Sequence, residues 1–572
     1  MDYQTEYQKW LDYEDLDSEL RRQLETMPEE EKQEAFGYPM EFGTAGMRGY
    51  LGPGIGEMNI YTVKQATEGL ARFMDEQGSE AKKRGVVISY DSRYHSREFA
   101  FISAGVLGAH QIKTYVFDDI RPTPELSFSI RELNTFAGIM ITASHNPKRY
   151  NGYKIYGEDG GQMPPVDADV VTKYIREVTD IFHIKEDSIY ELRDQKLMQI
   201  IGFDVDEKYL ADVQSVSIDP EMIAKWAPKT KIVYTPLYGT GKVIGYKALK
   251  NIGFTDFRMV EDQAIADPEF PKTPSPNPEF EETFNEAKQI GKEIDADILI
   301  ATDPDADRLG VEVKMPDGEY RQLTGNQIAA VILNYVLTAK KAHNDLPSDG
   351  ALVESIVSST LPKDIASSFG IQTFQVETGF KFIAEKIQEF EDQNHGTFLF
   401  GFEESYGYLL KEFVRDKDAI QAITIMAEIA AYYKSIGQTV YDGLQEIFKQ
   451  YGHFIEKTIS EEFEGAAGKD KMAAIMAKLR AEKIDNFAGI PVELTEDYDC
   501  DLRVYSSGKE EKLNMPKSNV LKYVLTDGSW IAARPSGTEP KIKFYFGTKG
   551  KDDQAAQDSL DHLIKALKAY IS

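Results

Sequence analysis

Three times along the chain a short, continuously apolar run breaks off into a polar cluster: FAGIMI into TASHNP, DILIAT into DPDADR, and TFLFGF into EESYG. Unbroken apolar runs of this length, rich in branched and aromatic residues, predict strands buried on both faces. Helix-period stretches such as SREFAFISAGVLGAHQ lie between them. From Gly85 strands alternate with helices (GVVISYD, TYVFDD, GIMITAS); a second such block starts near Lys229 (TKIVYTPLYG, DILIATD) and a third near Gly350 (GALVESIVSS, GTFLFGFEES). The alternation predicts βαβ sheets with buried parallel strands. The blocks share little sequence, so the repeat is one of architecture. In open α/β sheets ligands bind beyond the carboxyl ends of strands, where all three polar clusters fall.

The flanks differ in texture. Residues 1–40 predict an acidic helical extension with Trp10, Leu11 and Leu20 on apolar faces. PEFPKTPSPNPEF (Pro268–Phe280) holds five prolines and predicts an extended connector. Near the end, a strand Trp530–Ala533, the loop RPSGTEP and the strand KIKFYFG precede a helix whose Leu560, Leu563, Ile564, Leu567 and Ile571 share one face, predicting a smaller α+β domain. The expected division is a helical extension 1–40 and domains 41–205, 206–320, 321–450 and 451–572.

A chain of 572 residues is too long for one core. With 65 Lys+Arg against 95 Asp+Glu its formal charge is −30, which argues against nucleic acid and anionic membranes as partners but leaves an anionic small substrate open. A single cysteine, Cys500, excludes an internal disulfide framework and a cysteine-based zinc cluster. The acidic N-terminus lacks an apolar signal core and no apolar run is long enough to span a bilayer, so the expected location is the cytoplasm.

DPDADR places Asp303, Asp305 and Asp307 at alternate positions after a strand. Three crowded carboxylates repel unless a cation neutralises them, and an all-oxygen set suits magnesium, manganese or calcium. The spacing does not fit a calcium EF-hand, so magnesium is preferred over a merely solvated turn. RPSGTEPKIKF gathers hydroxyls, a glycine-permitted turn and the cations Arg534, Lys541 and Lys543, which suits an anion as well as it suits an ordinary hairpin. GFEESYG offers Glu403, Glu404 and Ser405, acceptors suited to sugar hydroxyls, or simply a charged turn. ETGFKF presents Lys381 at what reads as an ordinary helix start. FGTAGMRG, with three glycines and Arg48, fits a close approach to an anion or a flexible lead-in to a strand. TPLYGTGK lacks the Ser or Thr that should follow the lysine of a phosphate loop and is discounted. Ser144 sits in an ordinary polar turn or is a nucleophile, and the signal for a hydrolase is weak: the chain has no G-x-S-x-G elbow, and adjacent Ser and His rarely reach triad geometry. What remains for Ser144 is to carry a transferable phosphoryl group beside a metal. Lys154, ten residues on, is then placed to move protons.

TASHNPKRYNGYK, DPDADR, GFEES and RPSGTEP, in this order and on these strand ends, resemble the α-D-phosphohexomutases, and within them the bacterial phosphoglucomutases of about 570 residues. The likeness runs from Phe42 onward. It implies an α/β fold of four domains around one cleft, three with related mixed α/β sheets and a C-terminal α+β domain related to the TATA-box-binding-protein fold. It implies a phosphoserine enzyme that interconverts glucose 1-phosphate and glucose 6-phosphate through glucose 1,6-bisphosphate, with Mg2+. By match, Ser144 is the phosphoserine, and Ser144 with Asp303, Asp305 and Asp307 forms the metal site. Lys154 is the general acid/base, Arg48 and Arg308 lie near the transferred group, and His145 supports the loop. Glu403 and Ser405 contact the sugar, Thr378, Gly379 and Lys381 form the substrate loop of the third domain, and Arg534, Ser536, Gly537, Thr538 and Lys543 bind the distal phosphate. Two positions depart from the pattern: Ala306 replaces a glycine of some relatives, and Lys543 an arginine. The implied partner is a phosphosugar, and the implied state a monomer or weak homodimer. Phosphopentomutase, phosphomannomutase or sugar-bisphosphate synthase activity, a metal-dependent phosphatase and a non-catalytic phosphosugar sensor are the alternatives. Tyr406, Gly407 and Tyr408 after Ser405, in place of the histidine of dual-specificity relatives, weaken the mannose reading.

Overall fold

The computed structural model describes residues 2–43, 46–463, 467–535 and 541–571. Two compact units divide the chain. The first comprises Met1–Leu323, Ile387–Glu389 and Ser405–Thr439; the second comprises Thr324–Lys386, Phe390–Glu404 and Val440–Ser572.

The first unit holds two mixed sheets. Strands β1 (Gly46–Tyr50), β2 (Val86–Tyr90), β3 (Thr114–Phe117), β4 (Ala137–Ile141), β5 (Tyr150–Tyr156) and β6 (Met198–Ile201) stand in the order β1-β5-β4-β2-β3-β6. β2, β3, β4 and β6 run parallel, whereas β5 returns antiparallel to β4 and pairs β1 antiparallel. β2 and β4 are buried at all five positions, which is why their sequences show no alternation. The second sheet, from β7 (Ile232–Thr235), β8 (Phe257–Met259), β9 (Ile298–Thr302), β10 (Leu309–Lys314) and β11 (Tyr320–Gln322), has the order β11-β10-β9-β7-β8. It repeats the same grammar: parallel strands at its centre and, after β9, an antiparallel return along β10. The TASHNP and DPDADR clusters are therefore the turns of two hairpins at the carboxyl ends of buried strands.

The acidic extension forms three helices, Tyr3–Asp12, Ser18–Glu25 and Glu29–Gly37. They are held by Trp10, which is fully buried and meets Phe36, Tyr61 and Phe182 edge-on. Leu11 and Leu20 are only partly covered and pack at the edge of this cluster. The expected extended connector is instead a folded run of turns: Phe270, Thr273 and Asn277 are buried, and the amide groups of Thr273 and Phe280 donate to Phe270 O and Asn277 O. Apolar burial by Phe270 and local turn bonds outweigh the preference of the prolines for an open polyproline path.

In the second unit β12 (Gly350–Ser355) runs parallel to β13 (Gln372–Val376) and β14 (Thr397–Glu403). The C-terminal portion is an antiparallel sheet. Its path is β16 (His453–Glu462), β23 (Lys541–Gly550), β22 (Trp530–Pro535), β21 (Leu521–Leu525), β18 (Ile490–Asp497), β19 (Leu502–Tyr505) and β20 (Glu510–Lys512). A two-residue strand, β17 (Asn486–Phe487), pairs with β18, and β15 (Gly407–Leu409) belongs to the first unit. The helix Asp553–Ile571 covers the sheet with Leu560, Leu563 and Leu567, the face its periodicity predicts. The α/β architecture with a sheet-rich C-terminal portion is thus the one expected.

Candidate active site

Ser144 sits in the β4–β5 turn with a left-handed backbone (φ 52°), a conformation that costs a non-glycine residue roughly 1 kcal/mol and recurs at functional sites. Two groups hold it there. The Ser144 N–H donates to Thr142 Oγ1 at 2.8 Å. The buried Arg93 guanidinium donates to the carbonyls of Ser144, Asn146, Pro147 and Tyr150, and its Nε lies 3.2 Å from Asp91 Oδ2. Thr142 in turn donates to the same Asp91 oxygen, at 2.6 Å. The serine is 4% exposed, and its hydroxyl donates to Asp303 Oδ2 at 2.7 Å.

Asp303, Asp305 and Asp307 are all buried, with one oxygen of each within 4.8 Å of the others. Alternation does the work here: the three positions share one side of the turn while Pro304 and Ala306, the latter left-handed at φ 52°, carry the backbone round. Burial, reinforced by the charges of Asp305 and Asp307, drives the Asp303 carboxyl well above its ordinary range. Burial acts on Asp305 in the same direction, but Lys154, hydrogen bonds from Asp303 and Thr123, and Lys417 outweigh it and hold Asp305 low. Lys154 Nζ lies 3.2 Å and Thr123 Oγ1 2.9 Å from Asp305 Oδ2; Lys417 Nζ lies 3.1 Å from Asp307 Oδ2. Asp305 Oδ1 and Asp307 Oδ1 are buried without a hydrogen-bond partner. Clustered, buried carboxylates that keep oxygens without a hydrogen-bond donor are what a bound cation would satisfy, so the donor set fits a metal.

His145 does meet Ser144: its Nδ1 lies 3.2 Å from Ser144 Oγ. The left-handed turn brings the two neighbours together, without the triad geometry that the sequence argued against. With the serine proton directed at Asp303, the ring contributes its Nδ1–H to the contact. Burial, then Arg308 and Arg48, push the imidazole well below its ordinary pKa, so it is neutral. No carboxylate hydrogen-bonds its other nitrogen among the described residues, and the pair is not a hydrolase relay. Arg48, on β1, donates to Asn146 Oδ1 at 2.8 Å. Arg308 is bound to Glu279 Oε1 at 2.8 Å and to the carbonyl of Ser405 at 3.1 Å.

In the second unit, Glu403 Oε1 accepts from Gly379 N at 2.8 Å. Gly379 (φ 121°) caps the helix Phe380–Gln393, so ETGFKF is a helix start as expected, with Thr378 and Lys381 half-buried beside it. Burial lowers the Lys381 ammonium. Arg534 on β22 and Lys543 on β23 are direct cross-strand partners. Ser536, Gly537 and Thr538 lie outside the described residues. The expected residues therefore fall into two sets. Ser144, His145, Lys154, Arg48, the three aspartates, Arg308 and Ser405 belong to the first unit; Thr378, Gly379, Lys381, Glu403, Arg534 and Lys543 belong to the second.

Arg93, Thr123 and Lys417 were missed by sequence reasoning. The first two were reachable: DSR and RPTPEL follow β2 and β3, which run parallel to β4 in the same sheet, so the strand-end rule that singled out TASHNP applies to them equally. Lys417 carries no local signal. The discounted TPLYGTGK loop serves the site indirectly, since Thr240 N donates to Pro304 O and a side chain at Gly239 would strike the Pro304 backbone at 2.3 Å. No helix among the described residues is long and apolar enough to cross a membrane.

Models of the phosphoglucomutase/phosphomannomutase alpha/beta/alpha domains I, II and III match residues 39–181, 207–315 and 324–451, and the C-terminal domain model matches 465–564. A phosphoglucomutase of Staphylococcus aureus (strain USA300) is 40% identical over 539 residues, 93% of this chain and 94% of its own length. That of strain MRSA252 is 40% identical over 548 residues, covering 95% of both. Among solved structures, the open form of pp63/parafusin, a phosphoglucomutase from Paramecium, superposes with a TM-score of 0.69 at 19% identity over 94% of this chain and 96% of its own. A phosphoglucomutase/phosphomannomutase family protein from Burkholderia thailandensis gives 0.65 at 18% identity over 92% and 96%. The structural likenesses bear on the fold alone. Taken with the four domain matches and the sequence relatives, they place the chain in the phosphoglucomutase/phosphomannomutase family, the α-D-phosphohexomutases.

Proposed function

We propose that this enzyme interconverts glucose 1-phosphate and glucose 6-phosphate by passing a phosphoryl group through Ser144, with glucose 1,6-bisphosphate as the intermediate. The observation that carries the reading is the Ser144 hydroxyl, buried on a strained turn and 2.7 Å from the first of three clustered aspartates. The names of the Staphylococcus aureus relatives support glucose as the sugar. Ser144, Asp303, Asp305 and Asp307 would hold Mg2+, which when bound neutralises the carboxylates and the charge on the transferred phosphoryl group.

In the first half-reaction Lys154 Nζ, in its neutral amine form, takes the proton of the incoming sugar hydroxyl and becomes the ammonium that pairs with Asp305. That oxygen bonds to phosphorus as the bond from phosphorus to Ser144 Oγ breaks. The bisphosphate turns round, Ser144 Oγ attacks its other phosphoryl group, and Lys154 returns the proton to the sugar oxygen released. Arg48 and Arg308 supply positive charge near the transferred group, and neutral His145 steadies Ser144 Oγ without competing for the phosphoryl group. Glu403 and Ser405 bind sugar hydroxyls, Thr378, Gly379 and Lys381 line the substrate loop, and Arg534, Ser536, Gly537, Thr538 and Lys543 bind the phosphate not being transferred. Phosphoryl transfer needs positioning and charge neutralisation above all, which such a set supplies. The five-part division at residues 41, 206, 321 and 451, a monomeric or weakly dimeric state and residence in the cytoplasm belong to the same proposal. A coupled assay on glucose 1-phosphate, mannose 1-phosphate and ribose 1-phosphate tests it: glucose 1-phosphate should be turned over fastest, and a preference for ribose 1-phosphate would move the reading to a phosphopentomutase.

A further inference from the structure

Glu404, between the proposed sugar contacts Glu403 and Ser405, has no task in the transfer itself. Its Oε2 accepts a hydrogen bond from Ser355 Oγ at 3.0 Å, and that hydroxyl lies 3.0 Å from Ser358 Oγ. Ser355 ends β12, and the turn that follows is fastened to the C-terminal sheet. Buried Lys522 donates to Ile356 O at 2.7 Å, while Ile356 and Val357 pack with Tyr498, Trp530 and Tyr545. Tyr545, the partner of Ala532, stands two pairs along from Arg534 and Lys543 in the β22–β23 ladder. Burial raises the Tyr545 hydroxyl, reinforced by the charges of Glu404 and Glu403 and opposed by Arg534. Among the described residues, the charged and titratable groups that act on Glu404 include Glu403 on its own loop and Lys543 and Tyr545 on β23, with Arg534 paired to Lys543 on β22. All of these belong to the second unit.

We propose that Glu404 is a positioning residue: anchored by Ser355 it fixes the Glu403 end of the sugar loop, and its negative charge tempers how strongly Lys543 and Arg534 hold the phosphate that is not transferred. The inference rests on the sugar and phosphate roles proposed above. It makes recognition of the two ends of the substrate interdependent. A charged Glu404 offsets part of the positive field that Lys543 offers the phosphate, and a protonated Glu404 does not. Burial, then Glu403, raise the Glu404 carboxyl to about 7 against the pull of Ser355 and Lys543, so the change of charge falls in the neutral range.

The test is calorimetric, on the full-length protein, with inorganic phosphate and glucose 6-phosphate as probes and with Arg534→Ala marking the part of phosphate binding that belongs to this site. Glu404→Gln keeps an acceptor for Ser355 and removes the charge. Near pH 8 it should bind inorganic phosphate roughly three- to tenfold tighter than the unaltered protein, the size expected of one partly screened charge. Near pH 6, where Glu404 is already protonated, the two should agree within about twofold. Ser355→Ala should weaken glucose 6-phosphate several-fold and leave inorganic phosphate alone, a split that general destabilisation would not produce. Equal phosphate affinities of Glu404→Gln and the unaltered protein at both pH values, or a Ser355→Ala loss shared equally by the two ligands, would overturn the proposal. These are binding measurements. A chain that binds as predicted but turns over no glucose 1-phosphate would contradict the proposed function and not this inference.

Discussion

Replacing Arg93 with lysine is the change that most sharply separates a clamp on the serine turn from incidental packing. The guanidinium serves four carbonyls and the Asp91 carboxylate from within the interior and lies over the Phe270 ring with its carbon 5.1 Å from the centroid. Lysine keeps the charge that Asp91 requires, but three donors on one nitrogen cannot reach four carbonyls spread along residues 144–150. Two or so buried carbonyls lose their partners, at about 1–3 kcal/mol each and less than additively, so Arg93→Lys should cost about 2–4 kcal/mol. Arg93→Ala, which strands Asp91 as well, should cost about 3–5 kcal/mol from the broken ion pair alone. Against a typical net stability of about 5–15 kcal/mol, the alanine variant is close to unfolding, and lysine is the informative substitution. Its effect on turnover should be larger than stability alone implies. Released from Arg93, the Ser144 carbonyl no longer holds the left-handed turn, and a displacement of the hydroxyl by about 1 Å costs roughly a hundredfold in rate. Urea unfolding followed by circular dichroism, together with the coupled mutase assay, reads both quantities. Native stability and native turnover in Arg93→Lys would refute the clamp; lost stability with unchanged turnover would reduce it to packing.

Three further outcomes are expected. Chelation should abolish turnover and added magnesium restore it, with a rise in the thermal midpoint on metal addition, because Asp305 and Asp307 each keep a buried oxygen without a hydrogen-bond partner. Glu403→Ala should narrow the preference for glucose 1-phosphate over ribose 1-phosphate and cut kcat/KM roughly ten- to a hundred-and-fifty-fold, whereas Arg534→Ala should raise KM for every phosphosugar and leave the preference nearly unchanged. Burial pushes the Glu354 carboxyl, on β12, up to about 7. The folded protein therefore holds a proton that the unfolded chain releases, and stability is full below about pH 4.5, falls by up to roughly 3 kcal/mol as pH rises to about 7, and then levels. Glu354→Gln should flatten that decline in unfolding midpoints taken between about pH 5 and pH 8.

The loops that carry the proposed chemistry were legible because each breaks an unmistakable strand. TASHNP, DPDADR and GFEES contrast with apolar text on their N-terminal side, and the sheet places its strand ends where ligands gather. The identity of the aspartate cluster was legible too, since alternation in a turn puts residues on one side. Contacts between distant segments were not. Lys417 reaches Asp307 from 110 residues away in sequence, a separation at which nothing in local composition reports proximity, and the strand-end position of Thr123 does not reveal that its partner is Asp305. Arg93 stands at a strand end and so was reachable as a candidate, but its role was not legible: its partners are backbone carbonyls, which leave no trace in side-chain types. The proline-rich stretch misled because composition records conformational preference, and the burial of Phe270 overrode it.

The central claim is that Ser144 carries the phosphoryl group, and it is tested most directly by peptide mapping of the protein after incubation with glucose 1,6-bisphosphate and magnesium. One phosphoryl group should appear on the peptide containing Ser144. It should be discharged by glucose 6-phosphate with formation of the bisphosphate, and Ser144→Ala should neither take up the group nor turn over glucose 1-phosphate. A phosphoryl group found on another residue, or a Ser144→Ala protein with undiminished turnover, would contradict the account.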